Sequence, residues 1–375
     1  MLDVAIIGAG PAGARAAYVL ARRGARVAIF DASHPREKPC GGGVTGRALA
    51  LVADAIDAAA FPRTMIRTAR FAPDAVVELT GGALVVASRA TFDGALLDAA
   101  IAAGAEMVRA RLTDLAIGRE GVTIDTTAGR FSAAFIVGAD GANSLVRRRV
   151  AAPFRRDQLS IATGFFADGV TSAEIAIHLT ARPPGYIWSF PRPNHLAIGI
   201  CAQADAGIAA EALRARTAAW IEATGIAAGA RLQAYSWPIP SLSAADFDTL
   251  PVAGARWAVA GDAAGLVDPI TREGIFFALA SGAWIADALT RRDPAGAYAS
   301  QVHDEAVAEL RRAAQLKAGF FRPAFIALLL EALRRSAAVR SVMADLVAGR
   351  QTYAQLRWRL IKTLEIGLIR RALTT

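Results

Sequence analysis

Lysine is almost missing from this 375-residue chain, which carries it only at Lys38, Lys317 and Lys362, and cysteine occurs only at Cys40 and Cys201. Two cysteines cannot build a disulfide framework, so a reducing, cytoplasmic setting is expected. The four histidines, His34, His178, His195 and His303, show no metal-ligand spacing, and no metal site is expected. No stretch reaches the ~18 continuous apolar residues of a spanning helix. The nearest, Phe320 to Leu330, is broken by Arg322 and Pro323 and closed by Glu331. The first apolar run begins at residue 4 and passes directly into a glycine motif, and no signal peptide is expected ahead of it.

What is present is apolar and basic: 54% hydrophobic, 20% charged, with a formal net charge of +9. That composition suits a globular chain, and the length allows two interleaved domains around a sizeable core. The positive balance favours anionic neighbours such as nucleotides or phospholipid surfaces. Net charge alone speaks for nucleic acid, so no nucleic-acid partner is expected.

Along the chain, Val4 to Ile7, the turn Gly8 to Gly13, an Ala/Arg helix and Val27 to Phe30 read as strand, turn, helix, strand. A Pro/Gly-rich loop follows from Pro35 to Gly46. From about 76 to 88, and again from 159 to 201, β-branched residues alternate with polar ones, as in half-buried antiparallel strands. Phe92 to Ala103 reads as a helix and Phe135 to Val137 as a short buried strand. Trp257 to Ala260 reads as a strand that enters a second glycine turn, with a helix from about 273. Residues 296–375 read as helical, arginine-rich and amphipathic.

Gly8-Ala9-Gly10-Pro11-Ala12-Gly13 fits G-x-G-x-x-G, follows a strand, opens a helix, and is followed by an acid, Asp31, at the end of the next strand. Gly8 permits the tight turn, Gly10 lets backbone approach a pyrophosphate, and Gly13 permits close helix packing. The helix N-terminus supplies free N–H groups to phosphates, and Asp31 can accept adenosine ribose hydroxyls. Gly41 to Gly46 repeats the pattern but follows Lys38-Pro39-Cys40 and no strand, so it is not a second dinucleotide fingerprint.

Three further segments point to FAD over NAD. Arg89 stands just before a helix, where it can reach a cofactor. Gly138-Ala139-Asp140-Gly141-Ala142-Asn143-Ser144, with Arg147, is a strand-end turn carrying an acid, a hydroxyl and a cation. Gly261-Asp262-Ala263-Ala264-Gly265 leads to Asp268-Pro269-Ile270-Thr271-Arg272-Glu273-Gly274-Ile275 and a helix. There Asp262 can accept a ribityl hydroxyl, and the helix N-terminus can polarise a flavin edge.

The order of these motifs resembles the flavoprotein hydroxylase superfamily, and within it two segments resemble the geranylgeranyl reductase family. They are Lys38-Pro39-Cys40-Gly41-Gly42-Gly43 and Pro184-Gly185-Tyr186-Ile187-Trp188-Ser189-Phe190-Pro191 ending at Gly199. The resemblance covers roughly residues 1–290. It implies FAD contacts at Ala12, Asp31, Arg89, Asp262, Gly274 and Ile275, and a backbone contact to the adenine at Leu112. It further implies that Cys40 and Gly42 lie beside the isoalloxazine, and that Tyr186, Trp188 and Phe190 hold a prenyl chain against it. Gly199-Ile200-Cys201 departs from the family's Gly-x-Gly, and Arg272 stands where many relatives have glycine.

The expected fold is α/β, a Rossmann-type FAD-binding domain (1–75, 89–155 and 255–295) interleaved with an antiparallel-sheet substrate domain (76–88 and 156–254), plus a helical C-terminal region (296–375). In a strand Tyr186, Trp188 and Phe190 share one face, a wall for an apolar chain or a simple packing surface. Cys40 is the candidate catalytic acid, close to Lys38 in sequence, and an inert thiol otherwise.

The expected activity is FAD-dependent reduction of isolated C=C bonds in a prenyl lipid, with NAD(P)H or another reductant as electron donor. An aromatic monooxygenase and a non-catalytic flavin- or lipid-binding protein are the alternatives. A halogenase is disfavoured because no lysine lies between 39 and 316. Arg357, Arg359, Lys362, Arg370 and Arg371, interleaved with Trp358, Leu360, Ile361, Leu364, Ile366 and Ile369, suit either the inner face of an anionic membrane or a helix packed on the FAD domain.

Overall fold

A computed structural model describes residues 1–362 except 58 and 60. The continuous apolar runs Leu2–Ile7, Val27–Phe30 and the end of Gly129–Gly138 are buried, as strands covered on both faces must be. They pair in parallel with Trp257–Val259 and Glu106–Val108, in the order 257–259, 129–138, 2–7, 27–30, 106–108. Antiparallel strands Val122–Thr126 and Leu112–Ile117 extend this sheet from Gly129–Gly138.

The helix Pro11–Arg22 begins with proline at its first position and packs on the helix Ile275–Ala288. Small residues allow that close approach. A Cβ on Gly282 would stand 2.3 Å from the Ala12 carbonyl oxygen, and one on Gly261 would stand 3.3 Å from Ala12 Cβ.

A second, seven-stranded sheet runs in the order 231–240, 159–168, 195–203, 184–191, 174–181, 68–71, 75–78. All its pairings are antiparallel except Glu174–Ala181 with Thr68–Phe71. Here the strands depart from the expected division: Thr68–Phe71 pairs within this sheet, so a boundary at 75/76 falls inside a hairpin. Leu84–Ala87 instead joins a three-stranded sheet with Gly43–Thr45 and Arg63–Met65. Alternation reports a strand's solvent face but not which sheet it joins.

The C-terminal region is helical through Lys362. Pro323–Arg335 and Ala337–Val347 cover the end of the seven-stranded sheet, burying Leu329, Leu333, Val339 and Met343 against Phe71, Val77 and Ile175. Ser336 caps the second helix, its Oγ accepting from Val339 N at 3.2 Å. No helix among the described residues is long and apolar enough to cross a membrane.

Candidate functional site

One cavity of about 780 Å³ joins the two sheets and the C-terminal helices. At one end two helix N-termini, those of Pro11–Arg22 and Ile275–Ala288, converge on it. Neither has a side-chain cap or an acid in its first turn, so their free N–H groups and positive dipole ends face the cavity.

The three glycines of the first motif have distinct work. Gly8 sits at φ 103°, where a Cβ would meet Ala139 O at 2.3 Å, and a Cβ on Gly13 would stand 1.9 Å from Gly8 O. A Cβ on Gly10 would meet only His34 Nε2, at 3.8 Å. The space above Gly10 is an open cradle beside an uncapped helix, which fits a pyrophosphate.

Asp31 lines this end of the cavity, but its carboxylate is already engaged. It accepts from Ala9 N at 3.0 Å, Ser33 N at 2.7 Å, His34 N at 2.9 Å and His34 Nδ1 at 2.8 Å. Burial pushes its pKa up, but His34 and the backbone amides outweigh that and hold it well below the usual carboxylate range. His34, without metal-ligand spacing in the sequence, is a wall of the site, with Nε2 3.7 Å from Asp93 Oδ2.

Ala12, Leu112, Asp140, Asp262, Gly274 and Ile275 all line the same cavity. Asp140 supports its own turn, accepting from Ser144 Oγ at 2.5 Å and Leu145 N at 2.7 Å, and burial raises its pKa. Asp262 accepts from Lys38 Nζ at 3.1 Å, so a lysine does reach the cavity, from before residue 39.

Arg89 also lines the cavity, but its main partner is Asp93, through Nε at 2.9 Å and Nη2 at 2.7 Å. Burial opposes its charge, yet Asp93 and Cys40 more than offset that. Its remaining Nη1 donates to Cys40 Sγ at 3.5 Å.

The Cys40 loop is tied down by residues the sequence reading missed. Arg192, fully buried, pairs with Glu37 and donates from Nη2 to Cys40 O at 2.7 Å. Glu37 in turn accepts from Ser88 Oγ at 2.5 Å and Arg89 N at 3.0 Å. The arginine between Pro191 and Pro193, two residues after Phe190, was the available signal. Gly42 lies at φ 80°, with its missing Cβ 2.3 Å from Ala87 O. Gly41 and Gly43 lie against the Phe190 ring, where Cβ atoms would come within about 3 Å (2.9 and 3.0 Å). The two family-like segments therefore touch.

The floor is one face of the seven-stranded sheet. Register puts Tyr186 opposite Leu179 and Cys201, and Trp188 opposite Ile177 and Gly199. Tyr186, Trp188, Phe190, Ile175, Ile177, Leu179, Cys201 and Phe71 all line the cavity. Gly199 makes room for the indole, since a Cβ there would stand 2.6 Å from Trp188 Cζ2. Cys201 fills the same face beside Tyr186. Trp188 is only 5% exposed and packs on Ala162, Cys201 and Ile239, so it belongs to the core as well as to the wall.

The C-terminal helices, which bear no sequence signature, close the far side with Phe320, Met343, Leu346 and Val347. They also hold the loop Asp268–Gly274: Tyr353 Oη donates to Asp268 Oδ2 at 2.8 Å. Tyr186 Oη donates to Thr271 O at 2.7 Å from the sheet side. Arg272 has φ 62°, the left-handed region that a glycine takes freely and an arginine takes at a cost of about 1 kcal/mol or more. That suits the glycine the family resemblance implies here and makes Arg272 a strained residue. Glu273 is held by Thr45 Oγ1 at 2.9 Å and by Arg47.

A strand–glycine turn–helix with an open cradle, a second uncapped helix, and an apolar chamber between them define a flavin-dependent redox protein. Residues 1–279 match the family described as FAD binding domain. The chain is 30% identical to menaquinone reductase of Mycolicibacterium smegmatis over 320 residues, covering 77% of this chain and 76% of that protein. It is also 30% identical to geranylgeranyl diphosphate reductase of Rhodobacter capsulatus over 308 residues, covering 76% and 74%. The fold superposes on a geranylgeranyl bacteriochlorophyll reductase-like protein of Thermoplasma acidophilum with TM-score 0.80, at 20% identity, over 96% of this chain and 99% of that one. A flavin-dependent brominase shares the fold at TM-score 0.72 and 20% identity, over 96% and 98%. The chain belongs to the FAD binding domain family and, within it, to the geranylgeranyl reductases. It is an FAD-dependent oxidoreductase.

Proposed function

We propose that this enzyme reduces isolated C=C bonds in the prenyl chain of a lipid. The observation that carries the reading is the continuity of one cavity from the cradle at Gly10 to a sheet face lined by Ile177, Leu179, Tyr186 and Trp188. Named relatives that reduce geranylgeranyl diphosphate or menaquinone support it.

Gly8, Gly10 and Gly13 with the first helix would hold the pyrophosphate, and Asp31, Leu112, Asp140 and Asp262 would line the rest of the cofactor's path. Gly274 and Ile275, at the start of the second helix, would face the flavin, and Ala12 of the first helix packs beside that helix. FAD held there and reduced by NAD(P)H or another donor would supply the hydride for one alkene carbon, leaving the neighbouring carbon to take a proton from the protein. The apolar walls keep water from that step.

Cys40 is the proposed donor. Its sulfur accepts from Arg89 and lines the cavity, so Arg89 compensates the negative charge left when the thiol releases its proton. Cys40→Ala should retain FAD and accept electrons normally, yet slow alkene reduction at least tenfold; a wild-type rate would return Cys40 to a packing role.

The exposed Trp358 and Ile361, beside Arg357 and Lys362, favour a peripheral contact with an anionic membrane from which such a lipid is drawn. Leu364, Ile366, Ile369, Arg370 and Arg371 of that segment lie outside the described residues.

The test is anaerobic. Reduced enzyme mixed with prenylated lipids should reoxidise with a gain of two hydrogens in the product. Reoxidation only with oxygen, with an oxygen atom inserted into an aromatic ring, assigns a monooxygenase. A flavin inert to every lipid while lipid still binds assigns a binding protein.

A further inference from the structure

Behind the Cys40 loop, outside the cavity wall, His195 opens the strand His195–Gln203 across a tight turn from Arg192, whose backbone N–H donates to the His195 carbonyl at 2.8 Å. An arginine side chain has no acceptor, so the 3.3 Å contact of Arg192 Nη1 with His195 Nε2 assigns the imidazole. Nε2 carries the lone pair, while Nδ1 carries the proton and donates to Asn194 Oδ1 at 2.8 Å. The ring is neutral in this arrangement. Phe166 packs on both residues, edge-to-face with His195 at 5.4 Å and 5.1 Å from the Arg192 guanidinium carbon.

From that seat Arg192 reaches the glycine-rich loop. Nη1 also pairs with Glu37, and Nη2 donates to Cys40 O at 2.7 Å and reaches Lys38 O at 3.5 Å. Among the described residues, every side-chain acceptor of Arg192 except His195 therefore belongs to the loop that it holds. His195 is the acceptor that ties the guanidinium to the sheet. Burial and then Arg192 push the imidazole below its ordinary 6.5, and Glu37 and Asp168, the latter opposite His195 on the neighbouring strand, push less strongly the other way. Glu37 is itself held below 4.5 and stays ionised when the histidine titrates. A proton on Nε2 removes the acceptor and sets a second cation against Arg192.

We propose that His195 is a positioning residue for Cys40: its neutral ring aims Arg192 at the Cys40 carbonyl, and protonation of the ring releases the loop. The inference rests on the proton-donor reading of Cys40 and gives that donor a pH-sensitive support.

The test follows amide hydrogen exchange across residues 36–43, and anaerobic alkene reduction, in FAD-loaded wild type, His195→Gln and His195→Leu from about pH 8 to about pH 5.5. Glutamine keeps an acceptor for Arg192 that takes no proton, and leucine removes the acceptor. Corrected for intrinsic exchange, protection of this segment in wild type should fall about tenfold on the acid side, with its midpoint below 6.5, and alkene reduction should fall with it. His195→Gln should hold both nearly level. His195→Leu should show, already at about pH 8, the weak protection and slow reduction of acidified wild type.

The same pH course of protection in wild type and His195→Gln overturns the proposal, and that comparison decides even where leucine loosens the whole sheet. A step in protection that glutamine abolishes, with Cys40→Ala as active as wild type, keeps the loop's support by His195 and removes the proton-donor role of Cys40.

Discussion

The two ends of the cavity are built in different ways. At the nucleotide end the backbone makes the site: positive φ at Gly8, an open cradle at Gly10 and two uncapped helix ends. At the substrate end side chains from widely separated stretches make it, and key ones are held by partners far away in sequence. Glu37 is held by Arg192, Asp268 by Tyr353, and the glycine loop by Phe190. A backbone site needs only a short local pattern, so it tolerates little change within that pattern and much around it. A side-chain site is tuned by single substitutions, which is where relatives of one fold diverge in substrate.

The sharpest break of this contrast is Gly10→Val. The added side chain meets open space rather than protein, so the chain should fold, while the pyrophosphate's place is filled. Purified Gly10→Val should show native circular dichroism and flavin absorbance reduced at least a hundredfold. Normal flavin occupancy would place the pyrophosphate elsewhere.

Next in size is Arg192→Met, which acts on the substrate end alone. It leaves Glu37 without its cation in a largely buried setting, a loss of about 3 kcal/mol in chemical denaturation. Glu37 also gives the effect a pH signature. Burial raises its pKa, but Arg192 and the Ser88 and backbone hydrogen bonds lower it more, to below the ordinary 4.5. The folded state thus binds this proton less readily than the unfolded one. Its stabilising contribution is complete above about pH 4.5 and is lost as pH falls through the lower folded value. Without Arg192 that acid-side slope should flatten; an unchanged slope would mean that the pair is not what depresses Glu37.

Trp188→Ala probes the floor. Because the indole is buried as well as substrate-facing, truncation should cost about 3 kcal/mol of stability together with a tenfold loss of substrate affinity. A loss of stability with unchanged substrate affinity would make the aromatic strand core alone.

How much could be read from sequence follows the same division. Gly8, Gly10, Gly13 and the acid after the second strand identify the nucleotide end because a turn's geometry is written in adjacent residues. Tyr186, Trp188 and Phe190 sharing a face follows from a period of two. What they face does not, because that depends on the register with Ile177 and Cys201 and on helices near residue 343. Arg192 was hard to read for the same reason, since it gains its role from Glu37, far away in sequence. The chain's division at residue 76 failed because sheet membership is a property of pairing and not of pattern.

The smallest expected effect tests the longest-range link. Tyr353 opens the last described helix, and its hydroxyl is the only side-chain donor to Asp268 Oδ2 among the described residues. Asp268 Oδ1 meanwhile accepts from Ile270 N at 2.7 Å and Thr271 N at 3.0 Å, which shapes the loop that leads into the second helix. Burial and the neighbouring Asp268 carboxylate raise the phenol's pKa well above its ordinary value, so it stays a proton donor at every working pH. Tyr353→Phe keeps the ring in its pocket and removes only the donor, leaving one buried carboxylate oxygen short of a partner. Stability should fall by about 1 to 2 kcal/mol, within reach of a urea titration, while FAD content stays near wild type. The flavin's visible spectrum should shift slightly if the loop relaxes toward it. A variant with wild-type stability and spectrum would show that the C-terminal helices cover the cavity without steering the loop.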